Sequence, residues 1–264
     1  MEIDDRLEGI LLDLHYEVHG SGKPVVLVHS GGADMRDWSY LVPLLSENFY
    51  VIAFDDRGAG RSPSPVQPPN FVEDLLSLLD HLNISQAAVI GHSMGGQIVL
   101  NILHQQPEIA DKAVLLCSSS YAKRSRLPLI IGSYIPYFHL YVKFYLARTG
   151  IMKNLQNVVH DHTLISDEML FGYLQPFLKD EIFLALTRMI RDHEGDLSTG
   201  ALSRITHPCL LIWGEYDRVV PLSVGERLTK DLTRSELVIL RDTGHLVPEE
   251  RPEDVFQHIK QFLA

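Results

Sequence analysis

From Ile10 to His19 apolar and polar residues alternate: Ile10, Leu12, Leu14, Tyr16 and Val18 against Asp13, His15, Glu17 and His19. Side chains alternate across a strand, so this predicts one strand with a single wet face, suited to the antiparallel edge of a sheet. Six later stretches are apolar without interruption, at residues 25–28, 50–54, 87–90, 113–117, 209–213 and 237–240. Such runs predict strands buried on both faces. Between them, apolar residues recur at helical spacing over 38–45, 71–82, 97–105, 223–232 and 253–262. Strand and helix alternating at this spacing predict a mostly parallel sheet covered on both sides. The Pro- and Ser-rich stretch 62–69 reads as a stiff polar loop leading into a helix.

The alternation stops between Ser119 and Gly195. No strand pattern is found there, and helical runs cover 133–148 and 167–178. This predicts a helical insertion (119–195) in a core made of 1–118 and 196–264. Eleven of the chain's 22 aromatic residues lie in the insertion. If it covers a site, Tyr137, Phe138, Tyr141 and Phe171 are candidates for an apolar roof. The most apolar window, 127–147, is interrupted by Pro128, Pro136, His139 and Lys143. A membrane-spanning helix is therefore not expected, and docking on a lipid surface is the minor alternative to a roof.

One motif carries chemistry. Gly91-His92-Ser93-Met94-Gly95-Gly96 sits between an apolar strand and a helical run, the arrangement of a nucleophile elbow. The tight turn exposes the serine hydroxyl at a helix N-terminus, where N–H groups can hold a negative oxygen. A serine needs a base, and the base needs an orienting carboxylate. Downstream, Asp217 follows the strand at 209–213 and His245 follows the strand at 237–240. Ser93, Asp217 and His245 are thus the candidate triad. For the oxyanion of acyl transfer, the candidate donors are the N–H groups of Met94 and of Gly31, with Ser30 beside the site.

His29-Ser30-Gly31-Gly32, Asp55 to Ser62, the elbow, Trp213 to Asp217 and Gly244-His245 together resemble the α/β-hydrolase superfamily over almost the whole chain, and more narrowly its lidded bacterial serine carboxylesterases. The family's first loop normally reads His-Gly, whereas this chain has His29-Ser30. The resemblance implies a mostly parallel eight-stranded sheet flanked by helices, with a helical lid after the sixth strand. It also implies hydrolysis of apolar, short-to-medium-chain carboxylic esters through an acyl-enzyme, with water as co-substrate and no cofactor or metal. The same triad serves lactones, thioesters and carbon–carbon bonds beside ketones, and a slow-turnover sensing module could keep it too.

Composition adds boundaries. The chain has 264 residues and a formal net charge of −11, which leaves no footprint for nucleic acid and disfavours anionic membranes. Its first residues, Met1 to Arg6, show neither a basic nor an apolar leader, so a cytoplasmic protein is expected. Cys117 and Cys209 both lie in strand-like runs and read as buried free thiols. His160-Asp161-His162 offers too few ligands for a metal site.

Overall fold

The computed structural model describes residues 7–11, 14–63, 71–149, 151–174, 178, 180–192 and 196–264. The amino-terminal alternation is a hairpin rather than one strand: β1 (Leu7–Leu11) and β2 (Leu14–His19) pair antiparallel, with Leu11 opposite Leu14. Leu12 and Asp13 lie outside the described residues, as does 64–70 of the predicted proline-rich loop. Alternation cannot reveal this break, because period two reads the same in both strands although the chain direction reverses between them. The predicted wet face is also partly covered. His15 is buried, its N–H donates to Ser62 Oγ (2.9 Å), and its carbonyl accepts from the Asp55 N–H (2.9 Å).

The remaining strands are β3 (Lys23–Val28), β4 (Phe49–Phe54), β5 (Ala87–His92), β6 (Ala110–Leu116), β7 (Cys209–Gly214) and β8 (Ser235–Leu240). They form one eight-stranded sheet in the order β1-β2-β4-β3-β5-β6-β7-β8, parallel from β4 to β8 and antiparallel at β1 and β2. Val25 to Val28 and Ala87 to Ile90 are buried at every position, so both faces of the sheet centre are covered. β8 differs from expectation. It pairs only with β7, and Ile239 is exposed, because an edge strand has one neighbour fewer.

The helices of the first half are α1 (Leu41–Ser46), α2 (Phe71–His81) and α3 (Met94–Gln105). The helix expected over 38–45 is broken: Met35–Trp38 forms a 3-10 turn that buries Trp38, and α1 begins after it. Between β6 and β7 run α4 (Leu127–Gly132), α5 (Phe138–Thr149), α6 (Ile151–Val158), α7 (Asp167–Leu174), α8 (Asp180–Asp192) and the short α9 (Thr199–Leu202). Two hydrogen bonds join the two ends of this excursion: the Asp196 N–H donates to the Ala122 carbonyl (3.0 Å), and the Ala122 N–H donates to the Asp196 side-chain carboxylate (2.8 Å). The chain closes with α10 (Leu222–Asp231), α11 (Val247–Glu250) and α12 (Pro252–Leu263). Both cysteines are free and buried.

Candidate active site

Gly31, Ser93, Asp217 and His245 all follow the carboxyl ends of parallel strands, β3, β5, β7 and β8 respectively. Ligand sites of open α/β sheets lie at that edge. Ser93 is the residue between β5 and α3, with φ 52° and ψ −114°. That left-handed backbone costs a non-glycine residue about 1–3 kcal/mol. Its surroundings hold it there. The Ser93 N–H donates to the Leu116 carbonyl (2.9 Å), and its carbonyl accepts from Ser119 (2.9 Å) and Gly96 (3.1 Å). A Cβ on Gly91 would overlap the Gly95 carbonyl, and one on Gly95 would overlap the Val28 carbonyl. The glycines thus set how closely α3 can start against the sheet.

His245 Nδ1 lies 2.7 Å from Asp217 Oδ2, with both residues buried. The other Asp217 oxygen accepts from the Val219 and Val220 N–H groups, each at 2.8 Å, so the carboxylate is fixed from both sides. Burial depresses the His245 pKa below 6.5; the bond to Asp217 opposes this shift and His92 adds to it. The ring is therefore neutral at pH 7, as a general base must be. The elbow touches the same loop one residue before the serine: His92 Nε2 donates to the His245 carbonyl (3.0 Å), and the two rings lie 5.0 Å apart.

The loop after β3 is equally constrained. His29 Nδ1 donates to the Ser30 carbonyl (2.8 Å), and its Nε2 accepts from the Asp56 N–H (3.0 Å). The Ser30 N–H is taken by Asp37 Oδ2 (2.9 Å), which removes it as an oxyanion donor. Gly31 packs against Met94, where a Cβ would stand 2.9 Å from Met94 Sδ. The Gly31 backbone thus lies against the Met94 side chain, and neither the Gly31 nor the Met94 N–H has a partner among the described residues.

Three features here carry no sequence signal strong enough to single them out. Asp37, which holds Ser30, also stands 3.7 Å from His92 Nδ1, an ion-pair distance rather than a hydrogen bond. Burial disfavours both charges, yet each opposes that effect in the other: His92 is raised and Asp37 lowered from their usual values. Glu250 accepts from the Gly244 and His160 N–H groups (2.9 Å each) and more weakly from Asp161 (3.4 Å). With the His245 N–H donating to the Val158 carbonyl (2.7 Å), it ties the histidine loop to the segment after α6.

Other expected pocket residues diverge. Tyr137 and Tyr141 point to solvent, and Phe138 packs on Tyr141 (ring centroids 5.6 Å apart). α5 is apolar on most sides and can bury only the face that meets its neighbours. Phe171 lines a cleft of about 870 Å³ with Asp34, Arg36, Asp55 and Arg61. Neither Ser93 nor His245 lines that cleft, so its polar wall lies beside the chemistry rather than around it. Asp55 braces this wall, accepting from the Met35 and Arg61 N–H groups at 2.8 Å each. Among the described residues Cys117, Asp217 and His245 are the one group whose ligand atoms lie close enough for a metal. Burial keeps the Cys117 thiol protonated, and Asp217 and His245 are occupied with one another.

The model of the "Alpha/beta hydrolase family" matches residues 25–258. The chain is 46% identical over 253 residues to the uncharacterized hydrolase YugF of Bacillus subtilis (strain 168), covering 94% of this chain and 92% of that one. It is 25% identical over 262 residues to the 2-hydroxy-6-oxo-6-phenylhexa-2,4-dienoate hydrolase of Comamonas testosteroni, covering 95% and 91%. A solved hydrolase of the same description, from Rhodococcus sp. strain RHA1, superposes with a TM-score of 0.81 at 26% identity, over 99% of this chain and 98% of that one. The elbow, the parallel sheet and a family match over most of its length make this chain a hydrolase of the α/β-hydrolase family.

Proposed function

We propose that this protein is a serine hydrolase that cleaves apolar carboxylic esters of short to medium chain length. Ser93 attacks the carbonyl while His245 takes its proton and then delivers it to the leaving alcohol. Asp217 holds the imidazolium, and the Gly31 and Met94 N–H groups receive the oxyanion. Water activated by His245 releases the acyl group. The observation that carries this reading is the buried Asp217–His245 pair (2.7 Å) bonded, through His92, to the elbow that presents Ser93. A fluorophosphonate probe should label Ser93 alone, and Ser93→Ala should abolish labelling and hydrolysis; labelling of another serine would refute the assignment.

The helices between β6 and β7 act in this reading as a lid over 119–195 that selects substrate. The pinned neck at Ala122 and Asp196, and the bond from His245 to Val158, support it. A second reading, hydrolysis of a carbon–carbon bond beside a ketone, is favoured by the similarity to the Comamonas testosteroni enzyme. A panel running from acetate to laurate esters, read beside thioesters, lactones and vinylogous diketones, separates the two by kcat/KM.

A further inference from the structure

The net charge of −11 is unevenly spread. From residue 112 to residue 160 the chain contains seven Lys and Arg residues and neither Asp nor Glu. That acid-free stretch includes α4 and α5. Their inner sides pack against α8, while their outer side is apolar. Ten Leu, Ile, Tyr and Phe residues between 127 and 145, Leu127, Ile131, Tyr141, Phe144 and Tyr145 among them, each leave 41–73% of their surface in water. Together they expose on the order of 1,000 Å², within nineteen consecutive residues, whereas apolar side chains left singly in water call for no explanation. Lys123, Arg124 and Arg126, immediately before α4, are exposed and have no ion-pair partner among the described residues.

We propose that the α4–α5 face is a docking surface for an anionic lipid bilayer. Apolar side chains beside a basic cluster are what a helix lying in a membrane interface presents: the first enter the headgroup boundary and the second meet lipid charge. The protein lies on the bilayer rather than through it. α5 has 12 residues, about 18 Å of helix against a hydrocarbon core of about 30 Å, and no described helix is long and apolar enough to cross. Charge also selects lipid over a second copy of this chain. A two-fold contact sets the same patch against itself, and with no Asp or Glu between 112 and 160 a second copy of that stretch offers Lys123, Arg124 and Arg126 no opposite charge. The proposal is independent of which bond the enzyme cleaves, because its readout is binding.

The test is flotation of the full chain with vesicles of phosphatidylcholine alone, and with one-third phosphatidylglycerol. The protein should float with the anionic vesicles, less so at high salt, and remain behind with the neutral ones. At about fivefold per basic residue, the triple variant Lys123→Glu/Arg124→Glu/Arg126→Glu should lose on the order of a hundredfold in affinity. Phe144→Ser/Tyr145→Ser should weaken binding as well. Melting temperature and turnover of a soluble ester should stay at wild-type values in the triple variant, which carries the test alone should the second variant unfold. Equal flotation with both vesicles, or unchanged binding by the triple variant, would overturn the proposal. So would a dimer in sedimentation equilibrium that Phe144→Ser/Tyr145→Ser dissolves, which would give the face to a second copy.

Discussion

Replacing Asp217 by Asn tests the mechanism without removing the fold's support. Asp217 Oδ1 accepts two N–H groups at 2.8 Å, and Oδ2 accepts one from His245 at 2.7 Å. An amide keeps a single acceptor atom. Leaving it on Val219 and Val220 retains two bonds and forfeits one; turning it toward His245 retains one and sets an NH₂ against two buried donors. At about 1 kcal/mol per bond, and more for each donor left unmet, the first arrangement wins. The amide N–H then faces Nδ1, so the ring proton moves to Nε2, and Nε2 can no longer take the proton of Ser93. Turnover should fall about ten-thousandfold, equivalent to about 5.5 kcal/mol in the barrier. Stability should fall only by the exchange of that charge-assisted bond for a neutral one from the amide to Nδ1, about 1 kcal/mol, a drop of a few degrees in Tm. Asp217→Ala, which abandons Val219 and Val220 as well, should melt lower still. Steady-state hydrolysis of a short p-nitrophenyl ester, alongside calorimetry, reads both quantities. An Asn variant within tenfold of wild-type kcat would refute the tautomer argument and send the search for the carboxylate elsewhere, first to Glu215.

Other outcomes follow from the same contacts. Because burial lowers the His245 pKa below 6.5, the neutral base survives mild acid, and the acid limb of kcat/KM should lie below pH 6.5; a limb above pH 7 would contradict this. Burial first, then Asp74 and Asp55, push Asp56 up to about 6. Its charge therefore costs stability that is absent below the unfolded value of 3.8 and complete above the folded one. Asp56→Asn should accordingly stabilise the protein at pH 8 by up to about 3 kcal/mol and do nothing near pH 3.5, as read from urea melts. Glu250→Ala should cost about 2–4 kcal/mol and speed amide exchange at His160, Asp161 and Gly244; unchanged exchange at all three would dismiss the brace.

What could be read from the chain was what neighbours in sequence decide. Gly91 and Gly95 flank Ser93 because strand, turn and helix start within six residues, and the parallel strands announced themselves as apolar runs. Asp217 and His245 stood out because each follows such a run closely. The antiparallel pairing of Leu11 with Leu14 was hidden, since period two reads the same in both strands. Glu250 and the Asp37–His92 pair were hidden for another reason: their partners lie 6 to 90 residues away, and an acid facing three N–H groups looks in sequence like any other. The outward turn of Tyr137 and Tyr141 was unreadable because an α5 with apolar residues on most sides leaves its buried face undecided.

The two bonds between Ala122 and Asp196 make the excursion between β6 and β7 interchangeable. Where both stems are clasped, the sheet senses a short closed loop, whatever length of chain lies beyond the clasp. Loop entropy rises only slowly with length, by about 0.6 kcal/mol per doubling. Helices beyond the clasp can be lengthened or shortened at little entropic cost, provided the segment after α6 keeps its bonds from Val158 to His245 and from His160 to Glu250. A graft between these two residues that keeps the Val158 and His160 bonds should therefore fold, as circular dichroism and a melting curve would read.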